Sequence, residues 1–107
     1  MNLKLSNKQF FKLYDLLEQT VLRIRPMGIS GHLYHSVLIG VYKQFYSKAF
    51  YRDLKKYSVN LTDEEACAWY LFFSSIEIPV DADKHEQIFK TSLLQTINLN
   101  IHQKFSV

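Results

Sequence analysis

Residues 30–49 read SGHLYHSVLIGVYKQFYSKA, and the disposition of their apolar side chains decides what kind of fold the chain can adopt. With each residue set about 100° on from the last, Leu33, Tyr34, Val37, Leu38, Val41, Tyr42, Phe45, Tyr46 and Ala49 cover well over half of a helix circumference. A surface helix needs an apolar stripe of only about 100°. The remaining arc holds Ser36, Gly40 and Ser47 with Lys43 beside them, small side chains that let another backbone approach closely. Such a helix is either central in the fold or supplies a self-association surface. Ser30 offers a cap for its first turn. The segment then continues, with a bend or a break near Ala49, to about Lys56.

Three further helices flank this one. Upstream, Ser6 with Gln9 three residues later forms a capping box, in which each side chain satisfies a backbone N–H at the open end. Phe10, Leu13, Tyr14, Leu17, Val21 and Ile24 then recur at three and four, and Pro26 and Gly28 end the stripe. Before it, Leu3-Lys4-Leu5 alternates and allows a very short extended arm. Downstream, Thr62 opens a third helix, with Asp63, Glu64 and Glu65 placed where the helix dipole favours negative charge. Its buried stripe is Ala66, Trp69, Tyr70, Phe73 and Ile76, and Ile78-Pro79-Val80-Asp81 breaks it, since proline has no N–H to donate. Asp83 with Glu86 predicts another capping box, followed by Phe89, Leu93, Ile97 and Ile101 through a last helix ending near Gln103. The expected fold is therefore all-α: a compact antiparallel bundle of about four helices with a short extended N-terminal arm, in one domain over residues 1–107.

Composition agrees with this reading. Eight Phe, seven Tyr and one Trp against three Gly and two Pro mean bulky packing with few chain reversals, which favours long helices over many short strands. The lone Cys67 has no internal disulfide partner, and MNLKLSNKQFF lacks the pattern of a secretory signal, so a reducing cytoplasm is the expected compartment. No apolar run approaches the roughly 20 residues that cross a bilayer, and no membrane partner is expected.

Charge is unevenly placed along the chain. Residues 1–56 carry ten Lys or Arg against Asp15, Glu18 and Asp53, whereas residues 57–107 carry three Lys against seven acids. The halves either attract each other, within one fold or across a symmetric dimer, or the basic half faces a polyanion.

No arrangement of chemical groups specifies a reaction. His32 and His35 share a helix face, but two imidazoles do not make a metal site. His85-Glu86 lacks a histidine four residues beyond the first, because Phe89 stands there. Cys67 lies amid Ala66, Ala68 and Trp69 and reads as a buried thiol packing as a small hydrophobe. The acids 63–65 are explained by helix initiation, and neither Gly28 nor Gly31 belongs to a phosphate loop. The expectation is a protein without catalysis, metal or cofactor.

Two readings of function remain. In the first, the chain is a non-catalytic protein–protein interaction protein that associates with itself as a homo-oligomer through Tyr34, Leu38, Tyr42, Tyr46 and Phe50. In the second, the stretch YKQFYSKAFYRDLKKY, residues 42–57, serves a small nucleic-acid-binding accessory or regulatory protein. Its contacts would be Lys43, Lys48, Arg52, Lys55 and Lys56, interleaved with rings on which bases stack. A helix-turn-helix over residues 50–75 is disfavoured, since its recognition helix would begin Asp63-Glu64-Glu65.

Overall fold

In a computed structural model that describes residues 1–106, the chain runs β1 (Asn2–Ser6), α1 (Asn7–Thr20), α2 (Gly28–Lys48), β2 (Lys56–Asn60), α3 (Asp63–Ser75) and α4 (Lys84–Phe105). The four helices agree with the reading of the sequence. The all-α class does not, because β1 and β2 pair as a two-stranded antiparallel sheet with Leu3 opposite Val59 and Leu5 opposite Tyr57. The extended arm is thus a strand with a partner. Leu3, Leu5, Tyr57 and Val59 face the core while Asn2, Lys4, Ser6, Lys56, Ser58 and Asn60 face out, the alternation that the period of two imposes. Backbone bonds prolong the pairing at both ends: Leu61 N donates to Met1 O at 2.7 Å, and Asn7 N to Lys55 O at 3.1 Å.

Ser6 is both the last residue of β1 and the cap of α1. Its hydroxyl accepts from Gln9 N at 3.2 Å, and the Gln9 side chain accepts from Ser6 N at 2.9 Å. The same reciprocal pair joins Thr62 and Glu65 at the start of α3, at 2.8 and 3.1 Å. Both boxes stand where the sequence places them. The others need correction. α1 ends at Thr20, and Val21–Ile24 continue as a turn. α2 starts at Gly28, behind Met27 and without a side-chain cap, so Ser30 lies inside it. Gly28 has φ +72, a left-handed value that costs glycine nothing. The helix stops at Lys48 and never reaches Lys56. At α4, Asp83 accepts from His85 N and Glu86 N, but Glu86 turns away from the cap to bind Lys12.

α2 packs on α3 and α1 and touches β2. Its enclosed residues are Leu38, Val41 and Phe45. Phe10 of α1 sits fully buried between Tyr57, at 4.1 Å between ring centroids, and Phe45, at 5.1 Å. The Gln44 side chain brackets Asn60, donating to its carbonyl at 2.9 Å and accepting from its N–H at 3.1 Å, and so pins β2 to α2.

The segment before α4 is held by charge. Lys90, only 2% exposed, donates to Pro79 O and stands 3.1 Å from Asp81 Oδ2. Lys12 approaches the same oxygen at 3.7 Å and Glu86 at 2.8 Å. Two cations of the basic half, Lys8 and Lys12, are thereby paired with acids of the other half inside one chain. The Lys90 ammonium holds the Asp81 carboxyl below its ordinary value, and Lys12 does the same for Glu86.

Removing one partner of a buried pair strands the other. Asp81→Asn should therefore cost about 3 kcal/mol in denaturant unfolding, while Asp81→Asn with Lys90→Met should recover most of that loss. A carboxylate with a lowered native pKa stabilises the fold above its unfolded value, and that contribution is lost as pH falls through the native one. The melting temperature should accordingly drop below about pH 4.5, near the ordinary carboxylate values. Glu86→Gln should shallow that acid limb.

Candidate functional site

Two exposed surfaces lie on different sides of α2. The first lies where the N-terminal half of α2 meets α3. Ile29 is 92% exposed and Leu33 60%, with Met27 and Leu71 also facing solvent. Between them runs a groove of about 400 Å³ lined by Leu33, Tyr34 and Val37 of α2 and Cys67, Ala68 and Leu71 of α3, with Glu64 its one charged lining residue. Tyr34 also lines a neighbouring cavity of about 340 Å³ with Met27, Phe72 and Ile76. Beside the groove, Ser36, Gly40, Lys43 and Ser47 face outward along α2. A Cβ built on Gly40 meets only the Glu65 carboxylate, at 4.0 Å.

The second surface is aromatic and basic. From the buried Phe10, rings follow one another outward: Tyr14 against Tyr42 at 5.8 Å, Tyr42 against Tyr46 at 6.1 Å, and Tyr46 edge-on to Phe50 at 5.4 Å. Burial, together with Tyr42 and Glu18 nearby, raises the Tyr14 phenol well above its ordinary value, so it is neutral. The row ends in the loop 49–55, where Phe50 is 73% and Tyr51 67% exposed. That loop is tied from beneath. Asn7 Nδ2 donates to Arg52 O at 2.8 Å and Leu54 O at 2.9 Å, and the Tyr57 hydroxyl donates to Tyr51 O. With its carbonyls drawn inward, the loop presents Phe50, Tyr51, Arg52, Leu54 and Lys55 to solvent.

The residues singled out in the sequence are divided by this arrangement. Leu38 is fully enclosed in one chain and leaves the proposed interface. Tyr34 and Tyr42 are half-buried, Tyr34 toward the α3 groove and Tyr42 in the ring row, which Tyr46 and Phe50 continue. Of the basic residues, Lys43 belongs to the outward stripe with Gly40, and Lys48 ends α2. Arg52 and Lys55 stand in the loop, and Lys56 begins β2. Three cations read as the end of a helix are therefore not helical, and residues 50–75 hold no helix-turn-helix. Among the described residues none of these five cations is in an ion pair.

The remaining chemical groups are dispersed. His35 Nε2 lies 2.9 Å from Val21 O, joining α2 to the turn after α1, while His32 faces solvent. Among the described residues no three His, Cys, Asp or Glu gather as metal ligands. Cys67 is half-buried, not enclosed as expected. It shares a cavity of about 240 Å³ with His102. No hydrogen bond joins the two, and His102 Nδ1 faces the Ser106 hydroxyl at 3.2 Å and the Tyr70 hydroxyl at 3.4 Å. No helix among the described residues is long and apolar enough to cross a membrane.

The exposure of Leu33 was present in the sequence as the excess width of the apolar arc, whereas Ile29 lay before the expected cap at Ser30 and outside that arc. The loop clamp was not, because Asn7 lies 45 residues from the first carbonyl it holds. Comparison with protein-family models, curated proteins and solved structures yields no match.

Asn7 is the test of the clamp. Asn7→Ala leaves two loop carbonyls without their donor and should cost about 1–2 kcal/mol. It should also speed amide hydrogen exchange across residues 50–55 while leaving α3 and α4 unchanged.

Proposed function

We propose that this chain is a non-catalytic protein–protein interaction protein that associates with a second copy of itself through the face shared by α2 and α3. The supporting observation is the pair of exposed side chains Leu33 and Leu71 lining the α2–α3 groove, with the exposed Ile29 one helical turn before Leu33 on α2. Each such side chain gains about 1.5–3 kcal/mol when fully taken out of water, a gain that one chain leaves unused. The outward stripe of Ser36, Gly40 and Ser47 lets a partner helix come close, since nothing nearer than 4.0 Å stands over Gly40.

Charge favours a second copy as the occupant. In a two-fold arrangement with the α2 helices antiparallel and centred on Gly40, Lys43 of each copy falls level with the partner's Val37. Glu64 lines the groove at that level, beside Leu33 and Val37. The same residue pair then forms twice, as an isologous interface requires. Of the interface expected at Tyr34, Leu38, Tyr42, Tyr46 and Phe50, this proposal keeps Tyr34, which lines the groove, and leaves Tyr46 and Phe50 on the other side of α2. Cytoplasmic residence belongs to the proposal, because Cys67 lines the docking groove and a reducing compartment keeps such a thiol free.

Sedimentation velocity over a micromolar concentration series tests the reading. The parent chain should pass from monomer to dimer. Leu33→Glu and Leu71→Glu should weaken association at least about tenfold, the equivalent of 1.4 kcal/mol, with the melting temperature at monomeric dilution unchanged because both side chains are exposed. Tyr46→Glu, on the other side of α2, should associate like the parent. A chain that stays monomeric throughout the series would overturn the proposal.

A further inference from the structure

The loop 49–55, with Lys56 at the start of β2, carries a second, independent surface. The exposed rings Phe50 and Tyr51 are followed by cations at 52, 55 and 56 that have no ion pair among the described residues, and the backbone beneath is held in place. Tyr46 stands thirteen residues beyond Leu33 on α2, about 140° around the helix axis, so this surface does not overlap the face assigned to self-association. Two cavities flank the loop. One, about 260 Å³, is lined by Tyr14, Tyr46, Ala49, Phe50 and Arg52. The other, about 290 Å³, is lined by Lys4, Leu5, Ser6, Lys55 and Lys56. Rings with a guanidinium gather on one side, and ammonium groups on the other.

The sheet register accounts for the second cluster. Lys4 is opposite Ser58 and Lys56 opposite Ser6, and all four point to the outer face of the two strands. Lys4 therefore joins Lys55 and Lys56 although 51 residues separate it from the nearer of them. Asp53 is the only acid in the loop. Among the described residues Lys4, Lys48, Arg52, Lys55 and Lys56 have no ion-pair partner. The other cations of the basic half that face acids, Lys8 and Lys12, are already engaged by Glu86 and Asp81.

We infer that this surface binds single-stranded nucleic acid, with Phe50, Tyr51 and Tyr46 taking base faces and Arg52, Lys55, Lys56 and Lys4 taking phosphates. The ligand must offer planar apolar faces and closely repeated negative charge together. An unpaired nucleic-acid strand does so, and base–ring stacking tolerates any sequence because every base has a π-face. A duplex hides those faces and is read by an element inserted into its major groove, whereas the basic residues here lie in a loop and at a sheet edge. An acidic peptide supplies the charge without the row of planes. The clamped backbone matters for affinity, since a loop already ordered by Asn7 and Tyr57 loses little freedom on binding.

Fluorescence anisotropy with labelled oligo(dT) and oligo(U) of about 12 nucleotides, at two or more salt concentrations, tests the inference. Duplex DNA of equal length and phosphatidylserine vesicles are the competing ligands. The parent chain should bind the single strands at low salt and prefer them to both competitors. If four phosphates are neutralised, the logarithm of affinity should fall against the logarithm of salt with a slope of about −3. Lys55→Glu with Lys56→Glu should weaken binding at least tenfold and shallow that slope by about 1.4. Phe50→Ala with Tyr51→Ala should weaken binding about tenfold or more and leave the slope unaltered, a signature that loss of charge cannot produce.

The inference is overturned if no single strand binds at low salt, if the ring substitutions leave affinity untouched, or if duplex or vesicles are bound more tightly. All four substituted residues are exposed, so melting curves should match the parent. Should a variant fail to fold, the salt slope and strand preference of the parent still decide. Leu33→Glu, which addresses self-association alone, should retain the binding of a single chain, so failure of one proposal is distinguishable from failure of the other.

Discussion

The pairing of residues 2–6 with 56–60 is the constraint on which the rest of the molecule depends. Joining segments more than fifty residues apart costs chain entropy before any contact repays it, and two strands alone make an isolated sheet of marginal stability. The repayment comes from the face they share. Leu3, Leu5, Tyr57 and Val59 all point inward, and Tyr57 lies on Phe10, which lies on Phe45. One stack of rings thus fastens β2, α1 and α2 to each other. The pairing also delivers Asn7, the residue directly after β1, to the underside of the loop that precedes β2. The order of that loop follows from the register of the sheet, so the exposed rings and cations at 50–56 are a property of the pairing as much as of their own sequence.

A second tie closes the other end of the fold. Lys12 on α1, Asp81 in the segment after Pro79, and Glu86 and Lys90 on α4 form one connected set of charges. A lysine as enclosed as Lys90 is tolerable only because its ammonium meets both a carboxylate and the Pro79 carbonyl, in keeping with the general rule that buried charge is paired and hydrogen-bonded. The unequal halves of the chain are explained in part by this set. Lys8 and Lys12 are neutralised internally, whereas the cations around the loop are not. Five of the ten cations of the basic half, Lys4, Lys48, Arg52, Lys55 and Lys56, thus lie around the loop, while Arg23, Arg25 and Lys43 are exposed elsewhere.

What the sequence disclosed, and what it concealed, follows the range of the interactions. The capping boxes at Ser6 and Thr62 are complete within four residues, and both stand as read. The box expected at Asp83 is half-formed because Glu86 had a competitor, Lys12, 74 residues away. β2 has the alternation Tyr57, Val59, Leu61 in plain view, yet a strand of five residues has no meaning without its partner at the far end of the chain. The same limit divided the functional residues. An angular count shows that the apolar arc of α2 is broader than a surface helix needs, which fits either a central helix or one with a bare edge, and does not say which edge that would be. The seats of α1 and α3 decide that, enclosing Leu38 and leaving Ile29 and Leu33 outside.

That division has a consequence for how the two surfaces relate. α1 covers one flank of α2 and α3 the other, and each leaves its own remainder: the ring row continuing past Tyr42 on the α1 side, and the groove at Leu33 and Cys67 on the α3 side. Both remainders come from the single broad apolar arc, but they differ in chemistry. The α3 groove has one charged lining residue, Glu64, and an aliphatic rim of Leu33 and Leu71, which suits burial against another apolar face. The α1 remainder runs into a clamped loop of rings and cations, which suits a charged, planar ligand. A dimer formed on the first surface leaves the second free on each copy, so two loops would face the same strand or two different ones. Linking two weak sites raises apparent affinity without any new contact when the ligand spans both. On the two proposals, self-association and binding at the loop would act on separate surfaces and reinforce each other.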